Sequence, residues 1–257
     1  MSNPRLPPEI LDHIVDLLHD NPKTLEQCCL TSKSWVTRAR KHLFADIEFL
    51  TVDDLKSWKK TFPDPGNSPA YHTRAMTVKC ALGDGQEDGW TQSFSRIECL
   101  RMDFTWTGFS NISLVPFRKF SASLKSLHVA SLFLPHPQVF SLIRFLPHLE
   151  DLTLIGYDSW VSNGDESDGP PTIASSASPP LTGTLELSQH QGMEYTARRL
   201  LDLPKGLHFQ KLNLSWCDEG DLHWMVELVV ACSNTLERLD VVCQLNGAIY
   251  PVSLLDR

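Results

Sequence analysis

Two short stretches of this 257-residue chain hold the residue types that bind metal ions. Gly83–Gly89 reads GDGQEDG, and Asp84, Gln86, Asp88 and Gly89 match positions 1, 3, 5 and 6 of a calcium loop. The twelfth position, where calcium takes a bidentate glutamate, is Ser95, so a connecting turn is the expected role. Cys217, Asp218, Glu219, Asp221 and His223 form the second group, with no further Cys or His at zinc-finger spacing. There Cys217 is expected to fill a small structural position just after a strand. No nucleophile elbow, zinc-protease helix, phosphate loop or dinucleotide glycine run occurs, and the ten histidines are dispersed. A triad assembled only in space stays open. The expectation is a protein that is not an enzyme, with no cofactor and no metal.

Composition narrows the partners. Apolar residues make up 42% and charged residues 21%, the balance of a globular protein. A net charge of −8 argues against nucleic acid and against an anionic membrane, because both select a basic surface. The local basic run Arg38–Ala39–Arg40–Lys41 reads as a solvated helix face. No N-terminal stretch has the form of a signal peptide, and no apolar run approaches a membrane span. Seven scattered cysteines, an odd number, read as reduced thiols in a cytoplasmic and/or nuclear protein.

The elements that would position any site fall into two sets. The first 46 residues read as three short helices. The first runs from about Pro8 to His19, with proline tolerated in its opening turn, and stops near the breaker Asn21–Pro22. Its apolar residues Ile10, Leu11, Ile14, Val15, Leu17 and Leu18 cover about 160° at roughly 100° per residue, more than one buried stripe requires. That excess points to an outside partner or to packing on the rest of the chain. A second helix is expected from Thr24 as N-cap, and a third around Trp35, Val36, Ala39 and Leu43.

Residues 47–257 carry a recurring apolar-x-apolar pair: Met76/Val78, Leu100/Met102, Leu127/Val129, Leu152/Leu154, Leu185/Leu187, Leu212/Leu214 and Leu239/Val241. The intervals are 24, 27, 25, 33, 27 and 27 residues, and Ile97, Leu124, Leu149, Phe209 and Leu236 stand three places before five of the pairs. Thr73 and Thr182 break that column. Helical patterns fall between pairs, at Val139–Leu146 and Leu222–Val229, and another at Leu55, Trp58 and Phe62 follows a strand at Ile47–Phe49. Strand and helix alternating at a near-fixed period predict parallel strands with right-handed crossovers. The long interval holds residues 158–180, rich in Ser, Pro, Gly and acid, expected as a flexible insertion loop. Ile249, Val252, Leu254 and Leu255 could cap the last strand; otherwise the chain is a fragment or a truncated relative of longer proteins.

Leu6-Pro7-Pro8-Glu9-Ile10-Leu11, then Ile14, Leu17 and Leu18, then Leu30-Thr31-Ser32-Lys33-Ser34-Trp35, resemble the F-box family, with Thr31-Ser32 departing from its usual Val-Cys. The later strands resemble the irregular leucine-rich repeats of fungal F-box proteins, although the Asn/Cys position holds Thr105, Leu132, Tyr157, His190 and Gln244. The resemblance implies an α+β class: an N-terminal three-helix F-box (1–46) followed by a right-handed α/β leucine-rich-repeat-like solenoid (47–257). It also implies a substrate-receptor subunit of an SCF-type cullin-RING ubiquitin ligase. Leu6, Pro7, Pro8, Ile10, Leu11, Ile14, Leu18, Leu30 and Trp35 would then serve docking on a Skp-family adaptor and, through it, cullin. The alternative is a non-catalytic interaction scaffold, an F-box-like module or a solenoid cap without a ubiquitin-ligase role. If the apolar pairs point inward, alternation sends their neighbours to the other face. Lys79, Arg101, Asp103, His128, Glu186, Lys211, Asn213, Arg238 and Asp240 are the resulting candidates for binding a target protein.

Overall fold

In the computed structural model the described residues are 7–80, 91, 93–104, 114–133, 137–158, 181–189, 193–217, 220–245 and 248–254. Three helices come first: α1 (Pro8–Leu17), α2 (Pro22–Thr31) and α3 (Lys33–Leu43). Asn21–Pro22 does not only stop α1. Asn21 caps α2, its side chain accepting the Thr24 N–H at 3.1 Å, and Pro22 takes the first helical position, where its missing N–H costs nothing. Val15, Leu25, Cys28 and Ala39 form a small core of their own, flanked by Leu18, Cys29, Trp35 and Leu43. Asp16 ties α1 to α3, accepting from Arg38 Nε at 2.6 Å, from Arg38 Nη2, and from His42 Nε2 at 2.7 Å.

The sheet begins directly after α3. Strands β1 (Asp46–Phe49), β2 (Ala75–Val78), β3 (Cys99–Phe104), β4 (Ser126–Phe133), β5 (Asp151–Asp158), β6 (Thr184–Gln189), β7 (Lys211–Cys217), β8 (Arg238–Leu245) and β9 (Ala248–Leu254) lie side by side in chain order. All neighbours from β1 to β8 are parallel; β9 alone turns back antiparallel on β8. The register aligns the apolar pairs: Ile47, Met76, Leu100, Leu127, Leu152, Leu185, Leu212 and Leu239 form one row across eight strands. Crossovers include α4 (Val52–Thr61), a 3-10 segment at Val115–Ala122, α5 (Pro137–Arg144), α6 (Met193–Leu201) and α7 (Leu222–Cys232). The column preceding the strands is buried at Ile97, Leu124, Leu149, Phe209 and Leu236. Where Thr182 breaks it, Leu181 is fully buried instead, with a left-handed φ of 45°.

The expected class is corrected. The chain is α/β, not α+β with a helical head and a leucine-rich-repeat-like solenoid. One continuous parallel sheet organises it from Asp46 onward, and the Ala45 carbonyl accepts the N–H groups of Arg74 and Ala75, so the head runs straight into the sheet. Phe44 and Phe49 both pack edge-on against Trp58 at the same junction. The physical reason for the difference is general. An apolar residue at alternate positions is what any parallel strand with one buried face displays, so the period reports strand–helix alternation and not a repeat family. The crossovers bear this out by differing from gap to gap, α-helical in some and 3-10 in another. Of the insertion at 158–180, Asp158 ends β5 and the rest lies outside the described residues, as do Gly83–Gly89 and Leu255.

Candidate functional site

Burial alternates along the strands. On one face Leu100, Leu127, Leu152, Leu185 and Leu212 are all 0% exposed, while their neighbours on the other face are exposed or half-buried. Parallel sheets are ordinarily covered on both faces. Among the described residues nothing covers the second face here, and of those at its centre Thr77 (6% exposed) and Ala130 (7%) are buried.

The register turns that face into rows. Glu48, Thr77, Arg101, His128, Thr153, Glu186, Asn213, Asp240 and Ser253 stand opposite one another, one from each strand. At about 4.8 Å between strands, the row runs roughly 34 Å across the eight parallel ones. Every member can donate or accept a hydrogen bond. Several are tied to each other: Thr153 Oγ1 donates to Glu186 Oε2 at 3.3 Å, and Ser253 Oγ donates to Asp240 Oδ1 at 2.7 Å. Ion pairs brace the rows, Arg101 with Asp46 at 3.4 Å, Lys79 with Asp103 at 3.9 Å, and Arg238 Nε with Asp240 at 2.6 Å. Burial pushes the His128 imidazole below its ordinary range and Arg101 adds to this, while Glu186 and Asp103 pull the other way.

All nine residues expected to face a target therefore lie on this face, brought together from five strands and the end of β2. Seven of them, Arg101, Asp103, His128, Glu186, Lys211, Asn213 and Asp240, are strand residues of β3 to β8; Arg238 opens β8, and Lys79 follows β2 with its N–H on the Phe49 carbonyl. Alternation puts Thr77 and Thr153 on this face as well; Ser253 it missed, because Ser253 lies on the antiparallel β9, beyond the last apolar pair, and its alignment with Asp240 is a matter of register.

The residues expected to dock an adaptor separate. Leu6 lies outside the described residues. Pro7 and Pro8 are exposed, as are Ile10 (48%), Ile14 (40%) and Leu30 (80%), whereas Leu11, Leu18 and Trp35 are half-buried. Val15 is the residue α1 buries fully, and Leu17 is 69% exposed. The wide apolar arc is thus split, one edge on the small core and one edge outward.

Among the described residues, no group of three His, Cys, Asp or Glu side chains is placed to hold a metal ion. No helix of the described residues is long and apolar enough to cross a membrane. Cys28, Cys29, Cys80, Cys99, Cys232 and Cys243 are free thiols, and burial pushes Cys29, Cys80, Cys232 and Cys243 above the ordinary thiol range.

No protein-family model matches the chain, and no curated protein matches it. The likeness to an F-box protein is accordingly withdrawn. With it go the SCF substrate-receptor role and the alternative of an F-box-like module or solenoid cap without a ubiquitin-ligase role; the Skp-family and cullin partners stood on that resemblance alone. The continuous parallel sheet is the positive finding that replaces them.

Proposed function

We infer that the chain is a non-catalytic recognition protein that binds a partner protein on the open face of its sheet. The observation that carries this reading is the polar row of the open face, one hydrogen-bonding side chain from each of nine strands. An exposed face this long on a parallel sheet is unusual, and its half-buried His128, Thr153, Glu186 and Asn213 provide contacts for an extended surface. The free, buried thiols support action in a reducing compartment, cytoplasmic or nuclear. A second contact surface is the outward stripe Ile10, Ile14 and Leu17, spaced along one side of α1.

The test is capture from an extract of the source cells with Thr153→Arg/Asn213→Arg as the comparison. The reading expects proteins retained by the wild-type chain to be lost from the variant, with both chains equally folded by circular dichroism. Identical retention by the two chains refutes it.

A further inference from the structure

The carboxylates of the open face are not equivalent. Asp46, Asp103 and Asp240 each have a cation within 4 Å, supplied by Arg101, Lys79 and Arg238. Asp151, one row away, accepts the Thr184 N–H at 2.6 Å. Glu186 differs from all of these. It is half-buried on β6, in the middle of the polar row, and its only hydrogen bond among the described residues is from Thr153, at 3.3 Å to one oxygen. The neighbouring strand offers Lys211, but the residue opposite Glu186 is Asn213; Lys211 sits one row away and makes no ion pair with it. A carboxylate partly withdrawn from water, with one oxygen committed to a hydroxyl, gains most from a cation that brings its own donors.

We propose that Glu186 is the anchor point for a basic side chain of the partner, an arginine or lysine carried on a segment that crosses β5 to β7. This rests on the recognition reading above and adds the chemistry of what is recognised. Thr153 and Asn213 flank Glu186 on the two adjoining strands, so the donors and acceptors continue on both sides of the anchor. That continuity suits a protein segment better than a point cation. A guanidinium meets a carboxylate through paired donors, and the overall charge of −8 favours the approach of a basic partner. Glu48, which shares the row, is exposed on the edge strand β1 and has water available; the comparison outside the face is Glu26, exposed on α2.

The experiment is selection of random twelve-residue displayed peptides on the full chain, followed by affinity measurements on synthesised winners. Glu186→Gln, Glu26→Gln and Asn213→Arg serve as variants, each checked for an unchanged unfolding midpoint. The expected winners are enriched in Arg and Lys, lose about tenfold or more in affinity on Glu186→Gln, and are unaffected by Glu26→Gln. Winners that Asn213→Arg blocks but that are not basic, or that ignore Glu186→Gln, overturn the anchor while leaving the recognition face standing. If no selected peptide responds to Asn213→Arg, both the face and the anchor are refuted.

Discussion

Leu212→Ala and Asn213→Ala, adjacent on β7, should differ sharply in cost. Leu212 is 0% exposed and aligned between Leu185 and Leu239, at 0% and 7%. Removing its isobutyl group loses transfer free energy and leaves a cavity that the neighbouring strands, fixed by their ladders, close only in part. The expected cost is about 3 kcal/mol, within the roughly 2–5 kcal/mol of leucine truncations in cores. For a chain of this size that lowers the thermal midpoint by about 6–12 °C. Asn213, half-buried on the open face, should cost less than about 0.5 kcal/mol. Urea unfolding reads both, with the slope unchanged so that the midpoint shift reports stability alone. A cost for Asn213→Ala equal to that of Leu212→Ala would mean the second face is covered, and the one-sided sheet would be wrong.

Gly183→Ala should destabilise by about 1–3 kcal/mol, because an added Cβ would overlap the Asp151 carboxylate and lie 3.3 Å from the Glu150 backbone carbon; calorimetry of Gly183→Ala with and without Asp151→Ala should show partial relief in the double variant. The Asp16 carboxyl is held well below the usual carboxylate range, first by hydrogen bonds from Arg38 and then from His42. Its stabilisation of the α1–α3 pair is therefore complete above about pH 4 and is lost as pH falls further, so the protection of the Ala39 amide against exchange, corrected for the intrinsic rate, should fall in acid for the wild type and depend less on pH in Asp16→Asn. Burial holds His128 neutral below its ordinary range, so its contribution is present above about pH 6.5 and is lost as pH falls through the lower folded value. A ring-proton titration that gives His128 a value at or above the ordinary one contradicts its burial on this face.

The strands were legible because their signal is local. A buried residue at every second position needs no knowledge of the fold, and the seven apolar pairs coincide with β2 to β8. The break at Thr182 shows in the sequence but its compensation does not, since Leu181 takes a buried place only by adopting a left-handed backbone. Helix α6 escaped notice because what it buries includes Thr196 and Ala197, which carry little hydrophobic signal. The 3-10 segment at Val115–Ala122 buries Phe117 and Phe120, three residues apart, and so shows no 3.6-residue period. Class failed for a different reason. In the sequence the head and the strands are separate patterns, whereas their union depends on the Ala45 carbonyl taking two N–H groups some thirty residues away. Alternation likewise placed Glu186 on the open face, but its want of a cation depends on which side chains the register sets opposite, across intervals of 27 and 33 residues.

The central claim is that the open sheet face is where a partner binds. Site-specific photo-crosslinking tests it most directly, with benzoylphenylalanine placed at position 213 on the face or at position 56 on the exposed side of α4, in chains expressed in the source cells. The account predicts a discrete adduct from position 213 that is absent from position 56 and is suppressed by Thr153→Arg. The same adducts from both positions, or none from 213 while α1 positions such as 14 give one, would contradict it.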